Sequence, residues 1–129
     1  MKLAGHVYRI LSWGIVALGT VHMLTTAALR GGTPAGRVWF FGAGIAMALS
    51  GSLNLLNIAY GTVARGVRWV CIGNNVLMTG FAAVAGVFTD AGPGQFATVL
   101  GLVGGATVLS FLAAPLKPSA GRTTTGSGS

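Results

Sequence analysis

Residues 38–59, VWFFGAGIAMALSGSLNLLNIA, form one apolar run without an Asp, Glu, Lys or Arg. Crossing about 30 Å of hydrocarbon at about 1.5 Å per residue takes about 20 apolar residues, so the run is long enough to span a bilayer. Inside lipid the backbone must satisfy its own hydrogen bonds, which makes such a run a helix. Gly42, Gly44 and Gly51 would weaken a helix in water but are tolerated in membranes. Gly42, Ala46 and Ser50 recur every four residues, a stripe that lets a second helix approach closely, and Gly44, Ala48 and Ser52 form another beside it. Trp39, Phe40 and Phe41 crowd one end and Tyr60 the other, as interfacial aromatics do.

The other segments read as partners of this helix. Of the 129 residues, 53% are hydrophobic and 7% charged, with a mean hydropathy of +0.76. Soluble domains carry about 25% charged residues. The expected fold is an all-α membrane protein, a four-transmembrane-helix bundle, with spans at about 8–29, 38–59, 69–88 and 96–114. One domain, 1–115, holds all four. Residues 116–129 are polar and rich in Gly, Ser and Thr, and read as a disordered tail. A signal peptide competes for the first span, but its apolar region is longer than the usual 7–15 residues and no clear A-x-A site follows. The turns are expected at RGGTPAGR (30–37), GTVARGVR (61–68) and TDAGPGQ (89–95), where Gly and Pro interrupt the helical pattern.

A net charge of +7 suggests nucleic acid at first sight. The cations are scattered singly over the segment ends, so no nucleic-acid partner is expected; they read as topology signals and contacts to anionic lipid. Lys2, Arg9, Arg65, Arg68, Lys117 and Arg122 fall on one side, Arg30 and Arg37 on the other. That bias puts both termini in the cytoplasm of a bacterial inner membrane, with the only acid, Asp90, outside. The aromatics agree: Tyr8, Tyr60 and Trp69 mark the inner boundary, Trp39, Phe88 and Phe96 the outer. Two echoes run through the chain. Arg9-x3-Trp13 matches Arg65-x3-Trp69, and Gly44-x-Ala46-x2-Leu49-Ser50 matches Gly104-x-Ala106-x2-Leu109-Ser110. Two duplicated helical hairpins would explain both, and chance in a chain this rich in Gly and Ala explains them equally well.

Ionisable groups inside spans are costly and are the first candidates for function. His22 is the one such group well inside, with Gly19, Thr25 and Thr26 on its side of the helix. It reads either as a ligand or proton-relay histidine or as a neutral side chain bonded to a threonine or carbonyl. His6, sixteen residues earlier, points to the opposite face, so the two cannot hold one metal from one helix. The amides form the better cluster. Ser50, Asn54 and Asn57 share a face of the second span, and Asn74 and Asn75 open the third, with Cys71 and Thr79 one turn either side of Asn75. Asn54 and Asn74 lie ten residues either side of Ala64, at equal depth in an antiparallel hairpin. These residues read as interhelical polar contacts or as a polar pocket closed by Trp13 or Trp69. Gly101 and Gly105 extend the set of helix-packing candidates, with Gly42, Ala46 and Ser50. No carboxylate pair, acidic metal cluster, nucleophile elbow or phosphate loop is present, and the single Cys71 cannot form an internal disulfide. Neither enzymatic activity, nor a cofactor, nor a metal is expected.

The length and four-span layout are similar to those of the small multidrug resistance transporters. That family depends on a glutamate embedded in its first span, and no acid lies in any span here, so the assignment fails. The pattern Gly19-x2-His22-x-Leu24, together with VWFFGAGIAMALSGSLNLL, resembles uncharacterised small bacterial four-helix integral membrane proteins. The resemblance covers the first half of the chain and implies no activity. Three functions fit these features. The chain could be a subunit or accessory of a membrane complex, partnered by other membrane subunits or by copies of itself. It could be a small oligomeric transporter or channel, or it could bind haem or quinone through His22.

Overall fold

The computed structural model describes residues 2–28, 32–88 and 92–112, and these form four helices: α1 (Lys2–Ala28), α2 (Pro34–Tyr60), α3 (Arg65–Phe88) and α4 (Pro93–Leu112). All four are long and apolar enough to cross a membrane. The expected tail at 116–129 lies outside the described residues, as do Arg30, Asp90 and the last two positions of the fourth span.

Each helix begins earlier than the apolar runs suggest, and the turns shrink accordingly. Pro34 does not end a loop; it starts α2, where its missing N–H would have had no partner and its fixed φ already suits a helix. Thr33 caps this end, its hydroxyl accepting from the Gly36 N–H at 3.1 Å. Arg65 and Pro93 likewise sit at the starts of α3 and α4 rather than within turns. The α2–α3 turn is left with Gly61 to Ala64, tied back by the Gly61 and Ala64 N–H groups to the carbonyls of Asn57 and Tyr60.

With turns this short, consecutive helices run antiparallel. α1 packs on α2 and α4, and α3 packs on α4 and α2, so the four close into a ring. The inward seam of α1 is Tyr8, Ser12, Ile15, Gly19, His22 and Thr26, alternately four and three residues apart and all buried. Val99, Val103, Ala106 and Ser110 continue the rule in α4, the first half-buried and the rest buried. This is the spacing of helices crossing at about +20°. Tyr8, Ile15, Met47, Val103 and Ala106 form the apolar core.

Backbone contact is closest between α1 and α2. A Cβ on Gly19 would lie 2.6 Å from both the Ala48 nitrogen and the Gly44 oxygen, and one on Gly51 would lie 2.7 Å from the Ser12 oxygen. Of the packing candidates, Ser50 is buried, Ala46 half-buried and Gly105 meets Leu11. Gly42 and Gly101 are exposed, with nothing within 4 Å of a Cβ at either position. Inside the chain the close approach therefore belongs to Gly44, Ala48 and Gly51, not to the stripe led by Gly42.

The sequence echo has a counterpart in the packing. Aligning Arg9 on Arg65 and Gly44 on Gly104 carries the neighbours Gly19 and Met47 onto Asn75 and Thr107. It also carries Met23 and Gly44 onto Thr79 and Gly104, and Ser12 and Gly51 onto Arg68 and Phe111. Every one of these pairs is adjacent. The two hairpins thus share one register, which a duplicated unit requires and a chance resemblance does not.

Candidate functional site: a polar cluster across four helices

In the half of the bundle that holds the start of α1 and the α2–α3 turn, the inward seams are polar. Tyr8 enters from α1, Ser50, Asn54 and Asn57 from α2, Cys71, Asn74 and Asn75 from α3, and Thr107 and Ser110 from α4. Asn54 and Asn75 are the centre. Each amide nitrogen donates to the other's carbonyl oxygen, at 3.0 Å from Asn54 and 2.8 Å from Asn75. Asn54 Nδ2 places its second hydrogen on the Ser50 carbonyl at 2.9 Å. Asn54 Oδ1 also accepts from the Tyr8 hydroxyl at 2.5 Å and from the Cys71 thiol at 3.2 Å. Every polar valence of Asn54 is thereby engaged, and its amide orientation follows from its neighbours.

The network extends from this pair in both directions. The Tyr8 oxygen accepts from Asn57 Nδ2 at 3.2 Å and lies 3.6 Å from Cys71 Sγ. Asn74 Nδ2 donates to Ser50 Oγ at 2.8 Å. Towards α4, the Thr107 hydroxyl lies 3.1 Å from the Asn75 carbonyl, 2.9 Å from the Val103 carbonyl and 2.7 Å from Thr79 Oγ1. With one hydrogen it donates to one carbonyl and accepts from Thr79. Ser110 donates to the Thr107 carbonyl at 2.7 Å. Among the described residues a single buried side-chain polar atom lacks a partner, Asn57 Oδ1, which is turned towards Gly61, where a Cβ would collide with it.

Several expectations change here. The equal-depth partner of Asn54 is Asn75, while Asn74 takes Ser50, because a helix pair in contact turns only one of two consecutive residues directly at its neighbour. Trp13 and Trp69 close no pocket: both are exposed, at 56% and 69%, on the outer surface. Tyr8 does not mark the interface. It is 2% exposed and its hydroxyl is part of the cluster. Tyr60, Trp39 and Phe88 are exposed at helix ends, whereas Phe96 is half-buried with its ring lying over Gly86. Tyr8 could have been found by following Tyr8, Ser12, Ile15 and Gly19 at their alternating spacing instead of by its nearness to Arg9.

His22 lies on the same seam of α1, about 21 Å from Tyr8 at about 1.5 Å per residue. It is buried, its Nδ1 is 3.1 Å from the carbonyl of Leu18 in its own helix, and its ring stacks on Phe40 with centroids 4.5 Å apart. Its backbone carbonyl accepts from Thr26, while Thr25 is exposed. His6 is exposed near the start of α1. Among the described residues no three of His, Cys, Asp or Glu come together as a metal site would need.

The arrangement is well suited to fixing the register of four helices. Sliding one helix by a residue would break the Asn54–Asn75 pair and leave several buried polar groups unpaired, each costing about 1–3 kcal/mol. Comparison of the chain with known protein families, curated proteins and solved structures finds no match.

Proposed function

We propose that this chain is a multi-pass protein of the bacterial inner membrane, without catalytic activity, that works as a subunit or accessory of a membrane complex. The observation that carries the reading is the polar cluster. Its amides and hydroxyls are engaged with one another across all four helices, which suits a scaffold better than a substrate site. The environment of His22, bonded to its own helix and stacked on Phe40, suits packing better than ligation of haem or quinone. Gly42 and Gly101 supply small, exposed positions where another membrane helix could approach. Both termini are cytoplasmic in this reading, supported by Arg9, Arg65 and Arg68 at one end of the bundle against Arg37 at the other.

The test is purification from native membranes in mild detergent, with wild type and Gly42→Leu compared. A stoichiometric integral-membrane partner should accompany the wild type and be lost from the variant, with helicity and thermal midpoint unchanged. A wild-type chain that purifies as a bare monomer, and transports a solute once reconstituted, would refute the subunit reading in favour of a transporter.

A further inference from the structure

The outer face of α3 has features that the bundle does not use. Gly66, Gly73 and Gly80, seven residues apart, are all exposed, and a Cβ on any of them would meet nothing within 4 Å. None of them gains packing inside the chain from its missing side chain. Seven-residue spacing puts them in one line. Trp69 and Val76 flank it on one side, Val70, Leu77 and Val84 on the other, all exposed. The result is a shallow apolar channel along the helix. At its head stands Arg65, exposed, one turn from Trp69.

Charge decides what suits this channel. The chain has eight Lys or Arg and one acid, Asp90, which follows the opposite end of α3 in sequence. No acidic side chain therefore faces the Arg65 end, which leaves this exposed cation open to an anion from outside the protein. A second copy does not supply one. Copies in one membrane share an orientation, so a two-fold pairing of α3 with itself would set Arg65 against Arg65. An anionic phospholipid fits in both charge and length. From Trp69, at the interface, to Gly80 is about 16 Å of helix, about half of a 30 Å hydrocarbon core and so the depth of one leaflet.

We propose that the outer face of α3 binds an anionic phospholipid, its phosphate on Arg65 beside Gly66, its glycerol level at Trp69 and one acyl chain along Gly73 and Gly80. The proposal rests on the chain crossing a membrane and is independent of its role in a complex. The first hairpin supplies an internal control. Arg9 and Trp13 repeat the headgroup elements, but the positions matching the three glycines are Ile10, Ala17 and Leu24, all of which carry a side chain where α3 has none.

The experiment is native mass spectrometry of the full chain released from micelles containing equal amounts of phosphatidylglycerol and phosphatidylcholine with identical acyl chains. Wild type retains phosphatidylglycerol in preference. Arg65→Gln lowers that preference about five-fold, equivalent to the roughly 1 kcal/mol that a cation near an anionic surface contributes. Gly73→Leu lowers retention of both lipids, and Arg9→Gln changes the preference less than Arg65→Gln does. Far-UV circular dichroism checks that each variant keeps its helices. Equal retention of the two lipids by wild type, an Arg9→Gln effect as large as that of Arg65→Gln, or unchanged retention by Gly73→Leu would each overturn the site. A wild-type dimer that Gly73→Leu converts to monomer would assign the channel to a second copy instead. A chain that stays monodisperse without detergent would fail the membrane reading itself, a result distinct from all of these.

Discussion

Replacing Asn54 with leucine, a side chain of similar size without polar atoms, tests the polar cluster at its centre. Asn54 makes interhelical contacts with the Tyr8 hydroxyl, the Cys71 thiol and, twice, the Asn75 amide. Interhelical hydrogen bonds in membranes average about 0.6 kcal/mol, and the thiol is a weak donor, so their loss costs about 2 kcal/mol. Asn75 is then buried with its Oδ1 unpartnered and its Nδ2 left only the weak acceptor Cys71 Sγ at 3.7 Å, which adds about 1 kcal/mol or more. The expected loss for Asn54→Leu is therefore about 3 kcal/mol. Asn75→Leu breaks the same reciprocal pair and should cost about 2 kcal/mol. The double variant removes both amides and leaves neither stranded, so its cost should fall short of the sum by about 1–2 kcal/mol. Reversible unfolding in mixed micelles, followed by tryptophan fluorescence and circular dichroism, measures all four corners of the cycle. Additivity within about 0.5 kcal/mol would refute the coupling, and with it the view that this pair sets the helix register.

Three further outcomes follow from the same geometry. Gly19→Ala places a Cβ 2.6 Å from backbone atoms of α2 and should lower stability by about 1–3 kcal/mol, whereas Gly42→Ala meets nothing and should hold or raise the thermal midpoint. Tyr8→Phe removes the donor to Asn54 and the acceptor for Asn57 and should cost about 1 kcal/mol in the same unfolding assay. Cys71, with no exposed surface, should resist maleimide in the folded protein and react fully once the bundle is denatured; rapid labelling of the folded state would contradict its burial.

Four apolar runs are legible in this chain because the bilayer sets their length and forbids charge within them, conditions any reader of residues 38–59 can check. The helix starts were less legible. Pro34, Arg65 and Pro93 resemble loop residues by composition, yet they open helices, because the first turn of a helix needs no N–H donor and extends past the apolar core into the interface. Asn54, Asn57 and Asn75 stood out as polar residues in apolar runs, and all three are buried in one network. Which amide meets which did not follow from counting residues from a turn, since a difference of one position rotates a side chain by about 100°. Tyr8 was hidden for another reason. Beside Arg9 at the edge of a span, an aromatic residue reads as an interfacial anchor, and only contact with α2 and α3 distinguishes the two roles.

The sequence alone determined how many helices there are, that they suit a membrane, and which polar residues lie within them, because hydrocarbon acts on each segment separately. Tertiary structure decided which face of each helix turns inward. In lipid, apolar side chains are at home on either face, so apolar periodicity carries little information. The inward seam is marked instead by small and polar residues such as Gly19, Gly44, Asn54 and Asn75, whose partners lie on other helices.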